Sequence, residues 1–331
     1  MRATYISSYG GNEVIASGQL PDPVRRDDEL LVEVHAAGVN PVEIPIRDGQ
    51  YKRAMRLSFP QIMGFDISGV VRAAPVGGRF SEGDEVYARL PTRTMGAYAE
   101  LVAIPADLAA AKPVSLSHPE AAGLPTVALT TCQALTERAG LKRGQRLLVQ
   151  AAAGGVGTFA VQLAHHLGAE VIGTAGPDNH DFLRQLGVDE VIDYHVERFE
   201  DRGPYDVVYD GVGGELITRS IASVRRGGSY IGLVRSTDAR AYREAGVPGP
   251  LARLAARGTA AARRQAAAGG VAYHGPLTRP DGRQLARIAA LVDEGTIRPV
   301  VSETFALGEL GRAYDALAGG HVRGKLVVAI G

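Results

Sequence analysis

The 331-residue chain has a single cysteine, Cys132, and no excess of charge of either sign. One cysteine cannot form an intramolecular disulfide or a cysteine-rich zinc cluster, so neither cross-link stabilises the fold. The 36 lysines and arginines balance 36 aspartates and glutamates, which leaves no global attraction to nucleic acid or to an anionic membrane. We therefore expect neither nucleic acid nor a membrane as a partner.

Long apolar runs are also missing from the sequence. No 18 consecutive residues are apolar, so no transmembrane helix is predicted. Residues 1–6 lack the charged-then-apolar pattern of a secretion signal. Together these absences favour a cytoplasmic protein. The length suits about two domains of about 150 residues each, and the 45% hydrophobic content is enough for a sizeable core.

Glycine, in contrast, is abundant, with 42 residues where a usual content of about 7% would give roughly half as many. Up to about residue 120, short alternating segments separated by turn residues predict a β-barrel or sandwich. These strands are predicted at 30–36, 67–73, 86–88 and 96–103.

After Pro125 strands and helices alternate. Strands are predicted at 146–150, 170–174, 190–193, 206–210 and 229–233, and helices at 127–139, 158–167 and 181–186, each helix followed by a glycine. This alternation is typical of a parallel, doubly wound α/β sheet. Residues 238–268 are rich in alanine and arginine and predict two short helices broken at Pro248-Gly249-Pro250. They form a solvated helical surface, a mobile cover over a ligand, or a subunit contact.

A glycine-rich turn, Gly154-Gly155-Val156-Gly157, lies between a predicted strand and a predicted helix. In that context, missing side chains allow a tight turn and close approach of the backbone to a pyrophosphate. The helix N-terminus then offers unpaired N–H groups to the phosphates. Ala151 occupies the first position of this motif, where the chain makes its tight turn. The turn predicts a dinucleotide site, and the alternative is a glycine-rich turn without a ligand.

The end of the next strand distinguishes NADH from NADPH. An NAD site usually places Asp or Glu there to bind the ribose 2′-hydroxyl, but Gly173-Thr174-Ala175-Gly176 has no acid before Asp178. Without a carboxylate to repel a 2′-phosphate, NADPH is favoured. Nearby side chains that could contact it are Asn179, His180, Arg184 and Tyr194.

Several motifs in order resemble those of a known family. They are Ala36-Ala37-Gly38-Val39-Asn40-Pro41, Gly64-Phe65-Asp66-Ile67-Ser68-Gly69, Gly83-Asp84-Glu85-Val86, Gly96-Ala97-Tyr98-Ala99-Glu100, the turn from Ala151 to Gly157, Gly187-Val188-Asp189-Glu190-Val191-Ile192-Asp193-Tyr194, and Gly324-Lys325. Over nearly its whole length the chain resembles the medium-chain dehydrogenase/reductase superfamily, on its zinc-independent quinone oxidoreductase (zeta-crystallin-like) and enoyl reductase branch.

The resemblance implies a Rossmann NADPH-binding domain, a doubly wound parallel sheet, inserted into a GroES-like β-barrel catalytic domain. The expected boundaries are 1–124 with 298–331 for the GroES-like domain and 125–297 for the Rossmann domain, with the active site in the cleft. It also implies a homodimer formed through edge strands of the Rossmann sheets. Zinc-dependent relatives place a cysteine near the position of Asn40 and a histidine at Phe65. A catalytic zinc needs about three protein ligands, so we expect no metal.

Without a metal to polarise a carbonyl, hydride transfer to a quinone or to the C=C of an α,β-unsaturated carbonyl is the expected reaction. The resemblance implies Tyr51 as proton donor and Asn40 as a hydrogen-bonding partner of the nicotinamide ribose or substrate carbonyl. Alternatively, Tyr51 is an ordinary surface tyrosine and Asn40 holds the turn before Pro41. The expected cofactor-binding residues are Thr126, Ala153, Gly154, Gly155, Val156, Gly157, Thr174, Gly176, Asn179, His180, Tyr194, Gly211, Leu233 and Lys325.

Other functions remain open from the sequence. A narrower version of the reductase is a biosynthetic tailoring enzyme that reduces a polyketide-like intermediate. The chain could instead be a non-catalytic NADPH-binding sensor or regulator. A third alternative is a cyclase or isomerase that the cofactor assists without net reduction.

Overall fold

The computed structural model describes residues 1–53 and 55–331, which divide into two compact units. Unit 1 comprises residues 1–129 and 279–331, and unit 2 comprises residues 130–278. The sequence prediction places the boundaries after residues 124 and 297. The larger difference is segment 279–297, which contains a helix that belongs to unit 1. There the Tyr87 hydroxyl donates to the carbonyl of Leu285 at 2.6 Å, a long-range contact that local sequence patterns do not reveal.

The first segment of unit 1 is built mainly of strands. Its elements are β1 (Arg2–Ile6), β2 (Ile15–Gln19), β3 (Glu29–Val39), α1 (Glu43–Arg47), β4 (Gln61–Ile62), β5 (Asp66–Ala73), β6 (Glu85–Arg89), β7 (Leu101–Pro105), β8 (Ala109–Ala111), α2 (His118–Ala122) and α3 (Pro125–Cys132). The prediction of one strand over 96–103 is wrong at its start, because Met95 and Gly96 have φ of +51° and +114°. The backbone of Tyr98 pairs instead with Met63 and Thr4.

Unit 2 alternates strands and helices. Its elements are β9 (Arg146–Val149), α4 (Gly155–His166), β10 (Glu170–Ala175), α5 (His180–Gln185), β11 (Glu190–Asp193), β12 (Tyr205–Asp210), α6 (Leu216–Ala222), β13 (Val224–Gly232), α7 (Ala239–Glu244), α8 (Gly249–Ala255), α9 (Ala260–Gly269) and β14 (Ala272–His274). All six strands run parallel in the order β11-β10-β9-β12-β13-β14. This order reverses between β9 and β12, as in a Rossmann sheet, and confirms the predicted doubly wound α/β fold.

Two helical predictions need correction. The helix expected over 127–139 is α-helical only to Cys132 and continues as a π-helix over Gln133–Arg138. Residues 238–268 form three α-helices rather than two, because α8 and α9 are separated by a 3₁₀ turn at Ala256–Thr259. The predicted break before α8 is present at Pro248. No helix among residues 1–53 and 55–331 is long and apolar enough to cross a bilayer.

The last segment completes unit 1 with α10 (Gly282–Asp293), β15 (Val301–Ala306), α11 (Leu310–Ala318) and β16 (Lys325–Ala329). β16 lies between β15 and β3 in a seven-stranded sheet, parallel to β15 and antiparallel to β3. The separate GroES-like domain predicted from the resemblance is therefore present, built from both ends of the chain. Its core includes buried Phe65, Tyr98 and Tyr314. Pairing of β16 with β3 brings Lys325 next to the end of β3, just before Asn40.

Candidate active site

The turn between β9 and α4 leaves a helix N-terminus bare. Gly154 precedes α4, a helix of 12 residues, and no side chain caps it. A Cβ on Gly157 would overlap the Ala151 carbonyl oxygen and lie 2.6 Å from that of Ala152, so only glycine lets the helix approach the strand. Ala151 has a φ of +53°, a conformation that glycine adopts more readily. The open N–H groups and absent side chains fit the pyrophosphate of a dinucleotide.

The carboxyl ends of β10 and β11 lie beside this turn. The Thr174 hydroxyl accepts a hydrogen bond from the Ala151 N–H at 3.3 Å. A Cβ on Gly176 would lie 3.2 Å from Cε1 of His195 and 3.7 Å from the Tyr194 hydroxyl. Nε2 of His180 lies 3.3 Å from the Ala175 carbonyl. Asn179 ends the 3₁₀ turn that follows Gly176. The sheet thus brings these predicted residues together at one edge.

The loops after β12 and β13 are held by Asp210, which is not among the predicted site residues. Its Oδ1 accepts from the N–H groups of Val212 and Gly213 at 2.9 and 2.7 Å. The Tyr230 hydroxyl donates to Oδ2 at 2.8 Å, and burial raises the pKa of Tyr230. The Leu233 N–H donates to the Asp210 carbonyl. The acid at the end of β12, before four residues rich in glycine, is the signal that could have identified it.

Gly211 lies directly after Asp210. A Cβ there would be 3.2 Å from the Gln150 carbonyl, so the absence of a side chain lets this loop pass close to the end of β9. The predicted cofactor residues of unit 2 therefore all lie in loops, strand ends or first helical turns at the carboxyl edge of the sheet. They are Ala153, Gly154, Gly155, Val156, Gly157, Thr174, Gly176, Asn179, His180, Tyr194, Gly211 and Leu233.

The remaining predicted residues belong to unit 1, where most enter a buried polar network. Four donors surround the Glu43 carboxyl group. Two of them belong to Asn40: Oε1 of Glu43 accepts from the backbone N–H of Asn40 at 3.2 Å and from the Asn40 side-chain amide at 3.1 Å. Oε2 accepts from the hydroxyls of Tyr98 and Tyr314 at 2.6 and 2.9 Å. Burial outweighs these donors and raises the pKa of Glu43 to about 7.

Lys325 and Asp66 close the other side of this network. The Lys325 ammonium donates to Oδ1 of Asn40 and to the Val39 carbonyl, both at 2.7 Å, and lies 3.8 Å from Asp66. Asp66 also accepts from the hydroxyl of Thr126 at 2.6 Å and from the Asn40 amide at 3.1 Å. Burial raises the pKa of Asp66 and lowers that of Lys325.

The contacts of Asn40 fix the orientation of its side chain. The residue is 3% exposed, and its two amide hydrogens face the carboxylates of Glu43 and Asp66 while its oxygen accepts from Lys325. Lys325 and Thr126 likewise direct polar atoms into the network. No sequence pattern identifies Glu43 or Tyr314 as a partner of Asn40, and only the Gly-x-Tyr-x-Glu motif marks Tyr98.

Tyr51 lies outside this network. It follows α1 in a turn, is 41% exposed, and its hydroxyl forms no hydrogen bond with the described residues. Its backbone carbonyl accepts from the N–H of Met55 at 2.8 Å. The structure thus leaves this hydroxyl free to donate a proton to a bound molecule.

The side chain at the position where zinc-dependent relatives have a histidine packs in the hydrophobic core of unit 1. Phe65 is fully buried in the core of unit 1, and the Arg89 guanidinium lies 5.2 Å from its ring centroid. Within residues 1–53 and 55–331, no three His, Cys, Asp or Glu side chains are grouped so that they could hold a metal ion.

Comparison with known proteins agrees with both units. Residues 26–114 match the alcohol dehydrogenase GroES-like domain, and residues 186–328 match the zinc-binding dehydrogenase family. The mouse mitochondrial NAD(P)H oxidoreductase RTN4IP1 is 35% identical, over 100% of this chain and 89% of its own. The chloroplastic NADPH-dependent alkenal/one oxidoreductase of Arabidopsis thaliana is 29% identical over 99% of this chain and 79% of its own.

A solved structure shows the same similarity. The quinone oxidoreductase from Coxiella burnetii superposes with a TM-score of 0.86 at 31% identity, and the match covers 100% of this chain and 99% of that one. The uncapped glycine-rich turn, the GroES-like sheet and these full-length similarities lead to one assignment. The chain belongs to the medium-chain dehydrogenase/reductase superfamily, among its quinone oxidoreductase-like members, and is an oxidoreductase of the nicotinamide-dependent kind.

Proposed function

We propose that the protein is an NADPH-dependent, metal-independent reductase of quinones or of the C=C bond of α,β-unsaturated carbonyl compounds. The observation that carries this proposal is the bare N-terminus of α4 beside a strand end without a carboxylate. The first feature suits a pyrophosphate, and the second suits a ribose 2′-phosphate. The similarity to a quinone oxidoreductase supports the proposed quinone substrate. The similarity to an NADPH-dependent alkenal/one oxidoreductase supports the proposed cofactor and the α,β-unsaturated carbonyl substrate.

When bound, NADPH supplies the hydride. We assign its pyrophosphate to the N–H groups of Gly155, Val156 and Gly157, and its adenosine ribose to the segment around Gly176, with Asn179, His180 and Tyr194 beside it. Thr174 supports the phosphate turn through its hydrogen bond to Ala151. The loops that contain Gly211 and Leu233 complete the nucleotide site.

We assign Tyr51 as the residue that donates a proton to the substrate. Its hydroxyl would donate to the carbon next to the one that accepts the hydride, so that the substrate gains two hydrogens overall. Asn40 has one carbonyl lone pair beyond its bond to Lys325, and its orientation is set by Glu43 and Asp66. We therefore assign Lys325 and Thr126 to positioning Asn40 and Asp66 rather than to direct contact with the nucleotide.

Metal independence rests on residue types. Phenylalanine offers no donor atom, and Phe65 stands where zinc-dependent relatives place a histidine. Asn40 stands near their cysteine position, and a neutral amide is a poor zinc ligand compared with thiolate or imidazole. Orientation of the substrate carbonyl then depends on hydrogen bonds rather than on a Lewis acid.

The direct test is oxidation of NADPH, followed at 340 nm, with a panel of quinones, enones and enoyl thioesters. We expect turnover with at least one class and a product heavier by two hydrogens. Binding of NADPH without turnover on the whole panel would favour a sensor or regulator, and a product of unchanged mass would favour an isomerase or cyclase. A tailoring role predicts preference for a polyketide-like enone.

We also propose a homodimer in the cytoplasm. The sheet of unit 2 ends in two strands, β11 and β14, whose outer edges have no partner strand within residues 1–53 and 55–331. Pairing of one such edge with its copy would extend the sheet. Light scattering coupled to size-exclusion chromatography would give about twice the 34.8 kDa chain mass.

A further inference from the structure

Arg89 is a buried cation without a counter-ion of its own. The residue ends β6 and is 5% exposed, and its Nε is buried without a hydrogen-bond partner. Within residues 1–53 and 55–331, no carboxylate forms an ion pair with its guanidinium. Two other arginine side chains are as deeply buried, and each has a carboxylate partner: Arg47 pairs with Asp48, and Arg138 with Glu244. Charged groups are rarely buried unpaired, because leaving water costs free energy that only a partner offsets.

The guanidinium of Arg89 has N–H groups without acceptors. Among the described residues, Nη1 donates to the Leu90 carbonyl at 3.3 Å and Nη2 donates to the Thr92 hydroxyl at 3.4 Å. Both bonds are longer than is usual for N–H···O bonds, and both acceptors are uncharged. A guanidinium has five N–H groups, so most of them remain for a ligand. Thr92 is exposed, and the guanidinium therefore extends toward the surface of unit 1.

Arg89 lies on the same face of the sheet as the network around Asn40. β5 and β6 are antiparallel, and Arg89 is directly opposite Asp66. Residues opposite each other in an antiparallel pair project from the same face. Asp66 accepts a hydrogen bond from the amide of Asn40 at 3.1 Å, and Asn40 is the residue assigned to the substrate carbonyl. A substrate held by Asn40 would therefore lie on the face from which Arg89 projects.

The two acids on this face are already engaged. Asp66 lies 3.8 Å from Lys325, and Glu43 accepts four hydrogen bonds. Burial raises the pKa of both carboxyl groups and so opposes their ionisation. Burial also lowers the pKa of Arg89, but an arginine keeps its proton at neutral pH. One more negative charge beside Arg89 is therefore electrostatically favourable.

Resting on the proposed function, we propose that Arg89 binds a carboxylate of the substrate, so that the preferred acceptors are α,β-unsaturated carbonyl compounds that also carry an acidic group. The planar fork of a guanidinium matches a carboxylate, and its Nε–H and an adjacent Nη–H form two parallel hydrogen bonds to the two oxygens. The reduction is the one already proposed. Hydride adds to one alkene carbon, Tyr51 donates a proton to the other, and the carboxylate is not altered.

The test compares kcat/KM for trans-4-oxopent-2-enoate with kcat/KM for its methyl ester, with NADPH as the reductant. The acid-to-ester ratio should fall about 10- to 100-fold in Arg89→Met, because a charge-assisted hydrogen bond is lost. Comparing this ratio between proteins cancels the different intrinsic reactivity of the acid and the ester. For the ester alone, kcat/KM of Arg89→Met should stay within about 3-fold of the wild type, since the ester has no charge to bind. Arg89→Lys keeps the charge without the fork and should give an intermediate ratio.

Stability separates a binding role of Arg89 from a structural one. The Arg89 guanidinium lies 5.2 Å from the ring centroid of Phe65, and methionine also packs well against an aromatic ring. Because Arg89→Met removes an unpaired buried charge, the midpoint of urea unfolding of the ligand-free protein should stay unchanged or rise. A lower midpoint would show that Arg89 stabilises the fold, and would overturn the proposed role.

The matched control is Arg72→Met, on β5. Arg72 is 52% exposed and pairs with Glu33, so its removal should leave the acid-to-ester ratio at the wild-type value. An equal ratio in the wild type and Arg89→Met, or reduction of neutral acceptors without any reduction of the acid, would overturn the role of Arg89. Failure of the wild type to reduce any quinone, enone or enoyl thioester would instead overturn the proposed function.

Discussion

At the scale of single residues, Tyr51 and Glu43 occupy opposite environments within unit 1. The Tyr51 hydroxyl is exposed and unpaired among the described residues, whereas the Glu43 carboxyl is buried and accepts four hydrogen bonds. The first is suited to act on a bound molecule, and the second to fix its neighbours. Each can be tested by removing one polar function.

Tyr51→Phe should lower kcat about 100-fold or more, because it removes the proposed proton donor, and should leave the dissociation constant of NADPH unchanged. Steady-state kinetics with the best acceptor and binding by fluorescence check both parts. Tyr5→Phe, on β1 and away from the network, is the matched control and should keep wild-type kcat. An unaltered kcat in Tyr51→Phe would refute this assignment.

Glu43 should make unit 1 less stable as the pH rises. Its pKa of about 7 in the folded chain exceeds the value of about 4.3 expected in an unfolded chain, so the folded state binds the proton more tightly. This contribution is fully present below about pH 4 and is lost as the pH rises through about 7. Between pH 5 and 8, we expect the free energy of unfolding to fall by about 2–3 kcal/mol through this group.

The measurement is chemical unfolding of the wild type and of Glu43→Gln from pH 5 to 8. The stability of the variant should fall less with pH, because its side-chain amide does not titrate over this range. The difference between the two proteins isolates Glu43 from all other titrating groups. Parallel pH profiles would show that this carboxyl group does not change protonation over this range.

At the scale of elements, the sequence predicted the parallel sheet well. β9 and β10 contain short apolar runs, and their predicted ends agree with the structure within a residue, because a strand buried on both faces has a continuous apolar pattern. The start of β7 was not predictable, since it depends on the backbone angles of Met95 and Gly96. The π-helix after α3 has no such local signal either.

The buried network of unit 1 was also beyond sequence patterns. Glu43 bonds to Tyr98 across 55 positions and to Tyr314 across 271, and Lys325 bonds to Asn40 across 285. Periodicity describes neighbours a few positions apart, so pairings of this kind follow only from the tertiary fold. The resemblance named Asn40 and Lys325 as site residues, but their contacts with each other required the structure.

Gly157→Ala tests the contact between α4 and β9. Its Cβ would overlap the Ala151 carbonyl oxygen and the backbone of Ala152, so the first turn of α4 must move away from the strand. We expect NADPH binding to weaken at least about 10-fold and the protein to lose about 1–3 kcal/mol of stability. Gly249→Ala, where a Cβ meets nothing within 4 Å, is the control. Wild-type affinity in Gly157→Ala would contradict the assignment of this turn to the pyrophosphate.

At the scale of the whole molecule, unit 1 is discontinuous and depends on both ends of the chain. A chain ending at residue 320 would lack β16, which lies inside the seven-stranded sheet, and would leave the paired edges of β3 and β15 open. We expect this variant to be insoluble or to show loss of amide hydrogen protection in β3, β5 and β15. Deleting only exposed Gly331 should change neither the solubility nor the amide hydrogen exchange. If β3, β5 and β15 remained protected from exchange without β16, unit 1 would not depend on this strand.

The place of β16 has a further consequence during protein synthesis. Residues 130–278 of unit 2 are contiguous and can pack while later residues are still being added, because domains tend to fold as units when their chain has emerged from the ribosome. The first 129 residues must wait with β3 lacking one neighbour, because its partner strand β16 is translated only after the whole of unit 2. Until β16 is added, one edge of β3 has no partner strand, and chaperones would recognise this unpaired strand on the incomplete unit 1.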